Sequence, residues 1–200
     1  QAYAALTLNT LEIQAAGTSV TFNGEISATG TIDVTSAGTI VQHGAVASAT
    51  DLDYDALGTI WINHTITVSG TVTVDAAGLT TIADAANIDS GGAVSFGAEK
   101  SGGVATAGDI LTSDADLTFN RAVTLTGDVS IDTTGTAAGD ILFASTIDTG
   151  VFKLTLDAGT AGDITLAGAL SGTGRLLVID GALQAYAALT LNTLEIQAAG

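Results

Sequence analysis

Residues 139–182 read GDILFASTIDTGVFKLTLDAGTAGDITLAGALSGTGRLLVIDGA. Gly139-Asp140-Ile141-Leu142-Phe143 returns as Gly162-Asp163-Ile164-Thr165-Leu166, and Ile147 returns as Leu170, both at an offset of 23. Leu156-Asp157 maps onto Ile179-Asp180 at the same offset. Within each copy aliphatic residues alternate with Thr or an acid, as in Leu154-Thr155-Leu156 and Ile164-Thr165-Leu166, which is the period of a half-buried strand. Short strands and small-residue corners that repeat every twenty-odd residues have the coil length of a solenoid rung.

Outward from this stretch the spacing persists, with drift. Ile131-Asp132 precedes Leu156-Asp157 by 25, Ala16-Gly17 precedes Ala37-Gly38 by 21, and Val34 precedes Val74 by 40, or two steps of 20. The same alternation runs through Leu6-Thr7-Leu8, Leu11-Glu12-Ile13, Val20-Thr21-Phe22, Ile32-Asp33-Val34, Ile66-Thr67-Val68 and Val72-Thr73-Val74. Between the strands stand corners such as Ala15-Ala16-Gly17, Ser36-Ala37-Gly38, Ala76-Ala77-Gly78 and Gly172-Thr173-Gly174. Helical patterning is confined to Ala-rich stretches near 2–5 and 83–86, each about one turn long. The expected fold is all-β: a parallel β-helix with rungs of about 20–25 residues. One rung cannot bury its own apolar face, but stacked rungs share a continuous aliphatic core. The absence of Pro agrees, because a strand with neighbours above and below has no N–H to spare.

A longer repeat overlies the short one. Residues 1–17, QAYAALTLNTLEIQAAG, return letter for letter at 184–200. Residues 1–183 therefore read as one tandem unit of a continuous solenoid, and 184–200 as the start of the next copy. At ~4.8 Å per rung such a unit advances roughly 40 Å. Tandem β-sandwich domains are the alternative, with two units of about 91 residues, but no self-match occurs at half the period. A membrane β-barrel wants ~10-residue strands and aromatic girdles, whereas this chain has one Trp and three Tyr.

Composition excludes several functions. The chain has no Cys, which removes disulfide scaffolds, zinc fingers and CxxC redox chemistry. Its 21 acids face only Lys100, Arg121, Lys153 and Arg175, for a net charge of −17. Nucleic-acid binding needs a basic stripe to displace counterions, and four scattered cations cannot make one. Anionic membrane surfaces are disfavoured for the same reason, and no apolar run is long enough for a transmembrane helix. A hydrophobic fraction of 46% argues against disorder.

Segments 139–150 (GDILFASTIDTG), 153–182 and 6–17 (LTLNTLEIQAAG) resemble the repeats of very large bacterial surface proteins, the filamentous-haemagglutinin-like and autotransporter-type adhesins. The resemblance covers most of the chain and is one of composition and of an LxLxAGxGDIxL style. It implies a right-handed parallel β-helix, secretion across the outer membrane and a role as stalk, fibre or adhesin. It transfers no catalytic residues.

The expected function is accordingly a structural or adhesive segment of a fibre-forming protein at the bacterial cell surface or in the extracellular space, without catalysis. Its expected partners are further copies of the repeat end to end, with lateral homo-association into filaments or bundles. A glycan- or host-surface-binding module is the alternative, and a polysaccharide-active β-helix enzyme a remoter one. Such an enzyme needs apposed carboxylates; abundant Asp supplies pairs by number alone, but Trp61 is the single Trp available to stack a sugar.

No cofactor is required. Calcium is considered at Asp51, Asp53 and Asp55, where D-x-D-x-D puts alternate carboxylates on one side of a loop. An EF-hand would need Gly and Glu where Ala56 and Ile62 stand, and the nearest fragment of a glycine-rich calcium repeat is Gly91-Gly92-Ala93. Asp132, Asp157 and Asp180 are expected to stack at equivalent positions of successive rungs. His43 and His64 sit 21 apart, one rung on this reading, which makes them candidate stacked neighbours, but two imidazoles alone do not make a metal site. Asn63-His64-Thr65 is a formal glycosylation triplet. Thr65-Ile66-Thr67 and Thr71-Val72-Thr73 carry an ice-binding style of motif but lie six residues apart rather than one rung.

Overall fold

The computed structural model describes residues 1–15, 17 and 19–197, with Ser48 and Ala49 by their backbone alone. Ala16, expected at a corner, and residues 198–200 of the second 17-residue segment lie outside the described residues. The described chain is all-β, a parallel β-solenoid of about nine turns. Its strands fall into three parallel sheets of nine, ten and nine strands, each sheet taking every third strand in chain order until the last, Thr193–Ile196, which joins the second sheet two strands after Arg175–Asp180. The chain therefore visits the first, second and third sheets once per turn. The Ala-rich stretches expected as single helical turns are instead the strand Ala2–Tyr3 and a turn around Asp84. Among the described residues no helix is long and apolar enough to cross a membrane.

Register explains why these residues fold this way. On the first sheet Val20, Ile40, Ile60, Thr80, Val104, Val123, Ile147 and Leu170 stack in line, all inward. The second sheet stacks Ile26, Val46, Ile66, Ile88, Ile110, Ile131, Leu156, Val178 and Ile196. The third stacks Leu11, Ile32, Leu52, Val72, Val94, Leu117, Ile141, Ile164 and Leu183. Each buried aliphatic contributes about 1.5–3 kcal/mol, and it does so only because the rungs above and below cover it. Period two supplies the inward set, while stacking removes it from water.

Val20, Ile40, Ile60 and Thr80 follow one another at a strict spacing of 20, and the next step on that sheet, Thr80 to Val104, takes 24. Corners absorb the difference. Gly38, Gly58, Gly78 and Gly102 lie in one corner column, where Gly58 N–H donates to Gly38 O at 2.9 Å and Gly78 N–H to Gly58 O at 2.8 Å. A Cβ at Gly58 would lie 2.6 Å from Gly38 O, so the ladder turns this corner without side chains.

Drift in rung length corrects two sequence-based alignments. A bulge between Leu156 and Asp157 pairs Leu156 with Val178, leaving Ile179 turned outward, although Asp157 still meets Asp180. The rung at His43 is one residue shorter than the spacing of the two histidines, so His43 meets Asn63 (Nδ2 to Nδ1, 3.4 Å) and not His64. Outward columns are mixed, as in Thr21, Val41, Trp61, Thr81 and Ala105 of the first sheet, and form no continuous Thr row there. Thr67 and Thr73 lie on different sheets.

Among the described residues, the buried side-chain atoms without a hydrogen-bond partner include Gln42 Oε1, Thr155 Oγ1 and the Tyr54 hydroxyl. Tyr54, between Val34 and Val74, is fully buried with its ring 6.4 Å from Phe22, and its hydroxyl has no hydrogen-bond partner. Burial pushes that hydroxyl's pKa well above its ordinary value. An unsatisfied buried hydroxyl costs about 1–3 kcal/mol. Tyr54→Phe is thus expected to raise the free energy of unfolding by about 1 kcal/mol, read as a higher urea midpoint; a lower midpoint would mean that the hydroxyl is satisfied.

Candidate functional site

The outer face of the third sheet gathers the densest chemistry. In Leu52–Ala56, Leu52, Tyr54 and Ala56 point inward, which sends Asp53 and Asp55 outward. Asp33 lies beneath Asp53, and Asp75 above Asp55. Burial, then Asp33 and Asp55, push the Asp53 carboxyl above its usual range, against a smaller opposing pull from Lys100.

One loop covers part of this face. After Phe96 the chain leaves the sheet at Gly97, whose φ of +67° lies in the left-handed region that glycine adopts freely. The loop folds back so that Asp75, only 3% exposed, accepts bonds from the N–H groups of Glu99 at 2.7 Å and Lys100 at 2.9 Å. Lys100 Nζ reaches Asp55 at 2.5 Å, and Arg121 Nε donates to the Lys100 carbonyl at 2.5 Å. Desolvation of the Lys100 ammonium is outweighed by its bond to Asp55, and its pKa is raised. Two of the chain's four cations are thus committed to one clasp. A groove of about 380 Å³ opens beside it, with Thr35, Asp55, Leu57 and Lys100 in its lining.

The D-x-D-x-D run is therefore a corner and a strand, not a loop. Asp51 stands at the corner, where its Oδ1 accepts bonds from the Thr71 N–H and hydroxyl at 2.8 and 2.9 Å. Asp53 and Asp55 share the sheet face, and Asp55 is paired with Lys100. Among the described residues no group of three or more His, Cys, Asp or Glu is placed to hold a metal ion.

The expected aspartate stack is present on the second sheet, where Asp132, Asp157 and Asp180 are successive neighbours. Each carboxylate also binds backbone N–H near its own corner: Thr134 for Asp132, Gly159 for Asp157 and Gly181 for Asp180. Burial, then the charges of Asp132 and Asp180, raise the Asp157 pKa despite the Gly159 bond. A raised folded pKa means that the folded chain binds more protons between the unfolded and folded values. This contribution to stability is fully present below the unfolded carboxylate value and is lost as pH rises through the folded one. Asp114, where desolvation is outweighed by bonds from Thr136 and Ala137, and Glu195, held down first by Gln197, shift the other way. The cleaner readout is thus Asp132→Asn, which keeps an acceptor for Thr134 and removes one like charge. Its melting temperature is expected to exceed wild type at pH 7 and low salt, with the gap closing toward pH 4; a gap independent of pH would refute the charge origin.

Sequence reasoning missed the clasp and the inner aromatic stack. Phe96, Phe119 and Phe143 lie in line with centroids 4.9 Å apart. Their recurrence at spacings of 23 and 24 is the signal that the sequence carries.

The class this geometry defines is the parallel β-solenoid, with chemistry confined to its outer faces. Comparison with known proteins adds nothing to that assignment: no family model, no curated protein and no solved structure matches the chain.

Proposed function

We propose that this chain is a rod-forming segment of a bacterial cell-surface or secreted protein, coiled right-handedly, whose work is mechanical: spacing, fibre formation or adhesion. One observation carries the reading. The three sheets continue unbroken from the first turn to the last while an identical 17-residue segment opens and closes the sequence. A fold whose every rung is completed by the next supports indefinite extension, and repetition of the opening segment supplies the extension. The right-handed sense rests on the strong preference of parallel β crossovers for that hand. Continuous copies would also leave sheet edges open only at the array's ends.

Electron micrographs provide the test. Narrow rods about 40 Å long for this chain, lengthening in proportion to added copies, are expected; a compact globule whatever the copy number overturns the reading. The reading needs no cofactor. Melting in EDTA and in millimolar calcium decides whether Asp51, Asp53 and Asp55 bind the ion considered from the sequence, equal melting temperatures excluding it.

Trp61 favours a second, adhesive reading. It is 44% exposed on the first sheet between Val41 and Thr81, a flat setting on which a sugar ring could stack. Glycan binding abolished by Trp61→Ala would support that reading, and retention in the variant would dismiss it.

A further inference from the structure

The repeated segment lies on different faces of the rod at its two occurrences. In the first, Leu6–Leu8 is in the second sheet and Leu11–Ala15 in the third. In the second, Leu189 pairs with Leu170 of the first sheet, and Thr193–Ile196 closes the second sheet. Matching residues have moved back by one sheet.

Most of the local structure is retained in the new place. Leu11 and Ile13 stack on Ile32 and Val34, while Leu194 and Ile196 stack on Leu176 and Val178. Gln14 donates to Glu12 at 3.1 Å, and Gln197 to Glu195 at 3.0 Å. The leading edge differs: Tyr3 stacks on Phe22 with centroids 5.6 Å apart, whereas Tyr186 is 70% exposed. One sequence can serve on two faces because the inner columns it joins are aliphatic at the points of contact, Ile32 and Val34 on the third sheet and Leu176 and Val178 on the second. The period of two fixes which residues point inward, and the residues spent in corners fix which sheet they join.

The turn count follows from these positions. Leu11 holds the first place in the third sheet, and Leu194 the tenth place in the second. Eight turns and two-thirds of another separate them, so the stretch from Leu11 to Leu194 averages about 21 residues per turn. Nine whole turns would need every rung to be as short as those before Thr80. The longer rungs that follow, such as Thr80 to Val104, leave the repeat a third of a turn short of nine.

On the tandem-array reading above, on which this step rests, we infer that successive repeats are related by a screw of one-third turn. Each copy advances about 42 Å and docks on the last rung of its predecessor rotated by one sheet. The partner at that end is a further copy, which would cover Leu194 and Ile196, now 46% and 48% exposed. The aspartate ladder of the second sheet recurs on the first sheet in the next copy and on the third in the one after. It returns to its starting face every three copies, about 125 Å. Charge and any adhesive patch therefore wind around the rod, so lateral contacts to one face can repeat only at that longer interval.

The test uses an array of six consecutive copies of residues 1–183, imaged by cryo-electron microscopy. A single outward label per copy is provided by Thr124→Cys, unambiguous because the chain has no Cys of its own. Gold labels winding about the rod, with an axial repeat of about 125 Å, are the expected result. Labels in one straight row at intervals of about 42 Å overturn the screw and leave the array reading standing. Particles without a rod or a ladder spacing of about 4.8 Å overturn the array reading itself. Fibre diffraction from the unlabelled array reads the same two axial repeats should the labelled variant fail to fold.

Discussion

Replacing Phe119 by Ala is expected to destabilise the rod by about 3–5 kcal/mol, the largest loss for any single core truncation. Phe119 is fully buried and is the middle of three nearly parallel rings, 4.9 Å from Phe96 on one side and Phe143 on the other. Truncation loses the transfer free energy of the ring and leaves a void that stacked rungs cannot collapse around, since the hydrogen-bond ladders fix their spacing. It also removes two aromatic contacts, each worth about 0.5–1.5 kcal/mol beyond burial. Phe96→Ala and Phe143→Ala each break one such contact, because Val74 and Leu166 end the stack. The ordering Phe119 worst, Phe96 and Phe143 less, is the specific content. It is read from urea midpoints, with Phe119→Ala plus Phe143→Ala costing less than the sum of the two. Equal costs at all three positions would show that ring stacking adds nothing to burial.

The sequence reveals the strands more readily than their contacts, for a physical reason. Strand identity is local: Leu11-Glu12-Ile13 announces its inward pair within three residues. Register is legible where two rungs share a motif, as at Gly139-Asp140-Ile141 and Gly162-Asp163-Ile164. It fails where a corner or bulge changes the count, so His64 misses His43 by one position and Ile179 misses Leu156. A one-residue slip reverses every side chain beyond it, and nothing short of the fold shows which corner absorbs the extra residue. Asp51, Asp53 and Asp55 look like one cluster for a related reason. Their alternation suits a loop, while the inward demand of Leu52 and Tyr54 makes it a strand. The Lys100–Asp55 pair spans 45 residues, so it depends on two rungs being stacked before the loop can reach down.

Removing the Asp75 carboxylate is expected to open the clasp and expose the Lys100 peptide bond. The carboxylate lies beneath the loop and is the acceptor for two of its N–H groups. Hydrogen bonds to a charged group contribute about 1.5–3 kcal/mol each, so Asp75→Ala should lose about 3 kcal/mol or more of local stability. The loop has no apolar anchor of comparable strength: its other ties are Lys100 to Asp55, 16% and 32% exposed at the side chains, Arg121 to the Lys100 carbonyl, and backbone bonds at its two ends, Gly97 N–H to Val74 O and Gly102 N–H to Ala76 O, which leave its middle held by Asp75. Because the three sheets close beneath the loop without it, the loss should be local. When reclosing is faster than cleavage, proteolysis follows the open population, and ~3 kcal/mol corresponds to roughly a hundredfold increase in that population. Trypsin has only Lys100, Arg121, Lys153 and Arg175 to cut after, so the fragments identify the site. Asp75→Ala should therefore be cleaved after Lys100 roughly a hundredfold faster than wild type, with little change in melting temperature. Asp75→Asn, which keeps one acceptor oxygen, should fall between them. Unchanged cleavage at Lys100 would place the restraint in Arg121 and Asp55, and a collapse of the melting temperature would make the clasp part of the global fold.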